Sequence, residues 1–280
     1  MGLVTGCGPA TPSAPSEEEQ VPQQIHYGDG PSQFAELSLP AGTGPVPVVV
    51  VVHGGFWRTA YGLDLGRPLA EDLLGRGWAA LNVEYRRVGR GSKAGGGGWP
   101  ATALDVAAAL DALAGEGQRL AGGRLDLDRV VGLGHSAGGH LAGWLAARPT
   151  LPAGAPGAAP AVRLRGVVSQ AGVLDLVTAA REEVGGSAVP DLMGGSPDQR
   201  ADAYALASPI ARLPLGIPSV CVHGTSDDNV PLRQSEAFVA AARAAGDDSE
   251  LRSFPGNHFE PITVGSAAWA LCTDALTRLL

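Results

Sequence analysis

Lysine, cysteine and basic charge are all scarce in this 280-residue sequence. It has one lysine, Lys93, and three cysteines, Cys7, Cys221 and Cys272, scattered without metal-ligand spacing. No disulfide framework can be read from them, and Cys221, inside an apolar run, reads as a small buried hydrophobe. No HExxH pattern or close His/Cys cluster occurs, so neither a metal site nor a cofactor is expected. Lysine and arginine together number 20 against 28 acidic residues, a net charge of −8. That balance argues against a nucleic-acid-binding or anionic-membrane surface. No apolar run approaches the ~18 residues of a membrane span, and the longest, "VPVVVVV" (46–52), is strand-length and β-branched. The chain is rich in glycine, alanine and arginine, a bias that suits a GC-rich bacterial gene. Its 45% apolar content is enough for a large core.

The first residues follow a different logic. "LVTGC" (3–7) resembles the end of a lipoprotein signal with Cys7 as a candidate lipid anchor, and "GPATPSAPSEEEQVPQQ" (8–24) suits a flexible tether. The basic and apolar regions of a signal peptide are missing. Residues 1–24 are therefore expected to be a tail, the protein to be cytoplasmic, and membrane anchoring to be the alternative.

From residue 25 onward, strand-like and helix-like segments alternate, which predicts one α/β domain (25–280) with a mostly parallel central sheet and helices on both faces. Strands are expected at 33–40 (half-exposed), 46–53, 78–86, 125–135, 164–173, 218–224 and 249–256. Helices are expected at 66–77, 100–117, 137–148, 231–246 and 266–280. The glycine-rich stretch 88–99 reads as a loop, and 174–213 as an insertion of short helices over the sheet. There is no internal repeat.

The chemistry centres on "GLGHSAGGHLAGW" (132–144), in which Gly134 to Gly138 fit G-x-S-x-G. With 41 glycines in the chain the pattern alone carries little. Its context carries more, because Ser136 falls between a β-branched strand and a helix, where a strained turn lifts a hydroxyl above the sheet. The bland alternative is a serine N-cap. A serine hydroxyl needs a base, and the base needs an orienting acid. In sheet hydrolases the chain order is serine, acid, histidine, which sets aside His53 and His135. His140, one helical turn past Ser136, reads as a core histidine. His223 precedes the acidic loop. His258, on the loop after the last strand, is the expected base.

Asp227 and Asp228, in "HGTSDDNVP" (223–231), are both candidate acids, with helix capping the alternative role for this pair and Asp175 in reserve. "HGGFW" (53–57) follows the most apolar strand. Gly54 and Gly55 there, with the N–H of Ala137, form a candidate oxyanion hole, while His53 is expected to orient this loop. Phe56, Trp57, Tyr61 and Trp99 are candidate pocket residues, with a packing role as the alternative.

Taken in order, "HGGFW", "EYRR", "GHSAGGHLA", "HGTSDDNVP" and "GNHF" resemble the α/β-hydrolase superfamily, and most of all its prolyl-oligopeptidase-like and esterase/kynurenine formamidase-like branches. The resemblance covers about residues 25–280. It implies the α/β-hydrolase fold and places the acid at the first aspartate after H-G-x-x, which is Asp227. It also implies a small-molecule ester or arylformamide substrate rather than a peptide, since the chain is too short to add a propeller. The expectation is therefore a serine carboxylesterase. An arylformamidase and a non-catalytic hydrolase-fold binding protein are the alternatives. The glycine run 95–98 and the segment 174–213 match no signature of substrate choice.

Overall fold

The computed structural model of the protein describes residues 21–89 and 95–280. Cys7 and the greater part of the expected tail lie outside the described residues.

Among the described residues, eight strands form one sheet in the order β1-β2-β4-β3-β5-β6-β7-β8. They are β1 (Gln23–His26), β2 (Phe34–Ser38), β3 (Val46–Val52), β4 (Ala79–Val83), β5 (Leu125–His135), β6 (Gly166–Gln170), β7 (Ser219–Gly224) and β8 (Ser249–Phe254). β3 to β8 run parallel, while β2 pairs antiparallel with β1 and β4. This is the α/β-hydrolase architecture. β1 begins two residues inside the expected tail. Of its four residues only Ile25 is buried, which is why no hydrophobic pattern announces it. β2 is more buried than its alternation suggests, because Glu36 pairs with Arg67 at 2.7 Å.

β3 shows why a parallel strand reads as a continuous apolar run: both of its faces are covered. Val48, Val50 and Val52 belong to the core cluster that also takes in residues of α2 (Ala101–Asp111), α4 (Ala137–Ala147) and α8 (Arg233–Ala244). Val49 and Val51, on the other face, belong to a second core cluster with residues of α1 (Arg67–Gly75) and α9 (Ala267–Leu279). Pro47 cannot donate to the ladder and falls where the β3/β5 register shifts. The helix expected over 100–117 stops at Asp111. A 3-10 turn and Gly115, at φ −110° and ψ −94°, separate it from α3 (Glu116–Leu120).

Residues 174–213 form short helices as expected: α5 (Leu176–Arg181), α6 (Ala188–Met193) and α7 (Ala201–Ala207). Because β3, β5, β7 and β8 are parallel, the loops after them emerge at one edge of the sheet. That edge gathers Gly54, Ser136, Asp227 and His258. Among the described residues no helix is long and apolar enough to cross a membrane.

Candidate active site

The turn at Ser136 is set by its neighbours' lack of side chains. A Cβ on Gly134 would sit 2.1 Å from the Gly138 carbonyl oxygen, and one on Gly138 would sit 2.0 Å from the Val52 carbonyl oxygen. Strand β5, strand β3 and helix α4 therefore meet at backbone contact. Ser136 holds φ 56° and ψ −118°, a left-handed conformation that costs a residue with a Cβ about 1–3 kcal/mol. Its N–H donates to the Gln170 carbonyl at 2.8 Å, and its carbonyl accepts from His140 N–H at 3.1 Å. The first bond fastens the turn to β6, the second starts the helix. Ala137 is the first residue of α4, where the backbone N–H has no intrahelical acceptor.

Ser136 and His258 line one cavity of about 130 Å³ together with Gly55, Phe56, Tyr61, Leu65, His135, Asn229, Phe259 and Ile262. None of these side chains carries a full charge apart from what histidine can acquire. The His258 Nδ1–H donates to Asp227 Oδ2 at 2.6 Å, which leaves Nε2 as the other ring nitrogen. Asp227 Oδ1 accepts from the N–H groups of Asn229 (2.9 Å) and Val230 (2.8 Å), and the carboxylate is fully shielded from solvent. Burial alone would raise its pKa. The hydrogen bonds from His223, His258 and Val230 outweigh burial and hold it well below the usual carboxylate range. Asp228 is exposed, and Asp175 caps α5 by accepting from Thr178 N–H (3.1 Å) and Thr178 hydroxyl (2.6 Å).

Three consecutive residues of the loop after β3 have positive φ: Gly55 (111°), Phe56 (52°) and Trp57 (56°). Gly54 passes so close to the serine turn that a Cβ there would lie 3.1 Å from Ser136 Cβ. His53 stacks on Tyr85 at 4.3 Å and contacts the Gly54 carbonyl (2.8 Å) and Glu84 (3.4 Å). Tyr85 hydroxyl donates to the His53 carbonyl at 2.8 Å. Glu84 also accepts from Leu63 N–H (3.1 Å) and Tyr85 N–H (3.0 Å) and pairs with Arg87 (3.0 Å). Arg87 in turn donates to the Tyr61 carbonyl. Burial pushes Glu84 up, but His53, Arg87 and the Tyr85 N–H leave its pKa lowered. The "EYRR" stretch is thus the buried polar bed on which the His53–Tyr61 loop rests.

Two of the four candidate pocket residues are not in the cavity wall. The left-handed turn drives Trp57 into the core, where it is fully buried and meets His140 edge-on at 5.3 Å. Trp99 packs edge-on against Trp144 at 5.8 Å, near the far end of α4. Phe56 and Tyr61 do line the cavity. His140 is a core histidine whose Nε2–H reaches the Ala207 carbonyl at 3.0 Å, and burial pushes its pKa down to about 4.

Sequence reasoning set His135 aside as a base but did not anticipate its place in the cavity. Its Nε2–H donates to the His258 carbonyl at 2.9 Å, and the two rings lie 4.5 Å apart. Burial and the charge His258 can carry push its pKa down to about 3, so it stays neutral. Phe259, half-exposed at the rim, was also missed, as was the position of His223 behind Asp227. The residue before the serine and the one after the histidine were the available signals for the first two.

The BD-FAE family model matches residues 36–241, nearly three quarters of the sequence. The chain belongs to the BD-FAE family. Curated proteins similar to this BD-FAE chain include Esterase LipC of Mycobacterium tuberculosis, 28% identical over 79% of this chain and 55% of that protein. Probable carboxylic ester hydrolase LipM of the same organism is 30% identical over 72% of this chain and 46% of that protein. The chain therefore spans about half the length of the curated relatives it matches. Among solved structures, a bifunctional GH43-CE protein of Bacteroides eggerthii superposes with TM-score 0.74 at 27% identity, over 91% of this chain and 37% of that one. The butyrate-bound thermophilic esterase Est2 of Thermogutta terrifontis superposes with TM-score 0.72 at 22% identity, over 94% and 96% of the two chains, and shares the fold.

Proposed function

We propose that this chain is a serine carboxylesterase acting on an uncharged ester with a short acyl group. The observation that carries the reading is the shared cavity: a strained serine at the N-cap of α4, a carboxylate-bound imidazole and Gly55 line the same small space. His258 Nε2 takes the proton of the Ser136 hydroxyl as Oγ bonds to the ester carbonyl carbon. Negative charge moves to the carbonyl oxygen, which accepts from the Ala137 and Gly55 N–H groups, donors typically worth about 3–4 kcal/mol each. The C–O bond to the alcohol breaks, and the alcohol leaves with the proton from His258. Water then gives a proton to His258 and attacks the acyl-enzyme, and Oγ departs as the serine hydroxyl.

The esterase names of the mycobacterial relatives support ester over formamide hydrolysis. The small cavity and its uncharged lining support a short, neutral acyl group. The test compares p-nitrophenyl acetate, p-nitrophenyl octanoate and N-formylkynurenine with wild type and Ser136→Ala. The expected order is acetate first, with all turnover lost in the variant and a fluorophosphonate probe labelling only the wild type. Turnover retained in Ser136→Ala overturns the reading; a preference for the formamide overturns the ester assignment alone.

A further inference from the structure

Behind the Asp227–His258 pair lies a third group that the proposed mechanism does not use. His223, the penultimate residue of β7, is completely buried. Its Nδ1 lies 2.8 Å from Ser235 Oγ of α8. Its Nε2 lies 2.9 Å from the Val230 carbonyl and 3.3 Å from Asp227 Oδ2, the same oxygen that His258 contacts.

The partners settle how this ring is used. The Val230 carbonyl and the Asp227 carboxylate are both acceptors, so the proton belongs on Nε2. Nδ1 is then the acceptor, and the Ser235 hydroxyl is the donor that fixes this tautomer. Asp227 is thereby held at all sides: two backbone N–H groups on Oδ1, His258 and His223 on Oδ2. We propose that His223 is a positioning residue that aims Asp227 Oδ2 at His258, with Ser235 setting its tautomer. This rests on the serine-hydrolase reading above. The consequence is chemical as well as geometric, because a donor shared on Oδ2 reduces the pull of the carboxylate on the imidazolium proton of His258. Among the described residues, the titratable side chains facing the pair are His223 on Asp227 and His135 on His258, the latter neutral and bonded to the His258 carbonyl, with Tyr61 on the wall of the same cavity as His258.

The test measures kcat, KM and the pH profile of kcat/KM for p-nitrophenyl acetate in His223→Leu, His223→Gln and Ser235→Ala. Removal of the donor in His223→Leu is expected to lower kcat about tenfold, the usual consequence of losing one hydrogen bond to a charged group, with KM unchanged. The acid limb of the profile is expected to move to higher pH, since the carboxylate, freed of one donor, pulls harder on the proton it shares with the His258 Nδ1. His223→Gln keeps an N–H where Nε2 was and is expected to recover most of kcat and the wild-type limb. Ser235→Ala is expected to reproduce part of the loss, and to add nothing in the His223→Leu background.

If His223→Leu does not fold, the Gln and Ser235 variants decide the matter alone, with wild-type kcat and acid limb in Ser235→Ala overturning the proposal. In a folded His223→Leu, wild-type kcat and an unmoved limb overturn it. In both cases an inactive Ser136→Ala leaves the serine-hydrolase reading standing, whereas an active Ser136→Ala removes the reading itself.

Discussion

Gly138→Ala is the sharpest perturbation the fold offers, because one methyl group tests both packing and catalysis. The added Cβ would lie 2.0 Å from the Val52 carbonyl oxygen, 2.5 Å from that of His53 and 2.6 Å from the Val52 carbonyl carbon. The first contact is more than an ångström short of the 3.4 Å where ordinary contact begins. All three atoms are backbone at the end of β3, which is hydrogen-bonded on both sides to β4 and β5, so no side chain can swing aside. Helix α4 must move instead, carrying the Ser136 turn and the Ala137 N–H away from Gly54 and Gly55. Overpacking of this kind costs about 3 kcal/mol or more when the obstruction cannot relax. A misplacement of about 1 Å between nucleophile and oxyanion donors costs on the order of 10²-fold in kcat. Urea denaturation gives the first number and p-nitrophenyl acetate turnover the second. Gly75→Ala is the control: its Cβ meets nothing within 4 Å at the end of α1, and it is expected to be neutral or stabilising by about 0.5–1 kcal/mol. A Gly138→Ala protein with wild-type midpoint and turnover would refute the backbone-contact argument.

Two further outcomes follow from the buried carboxylates. The folded-state pKa of Asp227 lies below its unfolded value, so its contribution to stability is present above about pH 4 and is lost as the pH falls through the folded value. Asp227→Asn is expected to flatten the decline of the urea midpoint below pH 4 and to lower kcat at pH 7 by about 10³–10⁴-fold; parallel declines in the two proteins would contradict the assignment. Glu84→Gln leaves the Arg87 charge buried without its counter-ion and loosens the bed beneath the His53–Tyr61 loop. The expected cost is about 3 kcal/mol in the urea midpoint, with a lower kcat, and an unchanged midpoint would sink the idea.

How much of the fold was legible depended on how each segment is buried. β3 and β7 are covered on both faces, so the requirement for apolar residues is written continuously into "VPVVVVV" and "SVCVHG". β1 is an edge strand whose outward side chains are polar, and pairing with β2 rather than pattern makes it a strand. The helix over 100–117 read as one piece because alanine and leucine continue through it; the tightening into a 3-10 turn over Ala112–Ala114 is a backbone event that composition does not mark. Trp57 and Trp99 show the limit for side chains. An aromatic residue near an active edge serves equally well as wall or core, and only the positive φ values of Phe56 and Trp57 decide that the first faces the cavity and the second the interior.

The sequence by itself determined the order of the strands from β2 onward and of the long helices between them, the strand-to-helix turn at Ser136, and the order of serine, aspartate and histidine along the chain. These are local matters, fixed by hydrophobic period, glycine placement and chain direction. Only the tertiary structure decided which groups meet: that His258 shares a cavity with Ser136, that Asp227 rather than Asp228 lies against its Nδ1, and that His135 and His223 stand around the pair. Those contacts join residues up to 123 positions apart. They depend on the strand order of a twisted parallel sheet, which no short stretch of sequence encodes.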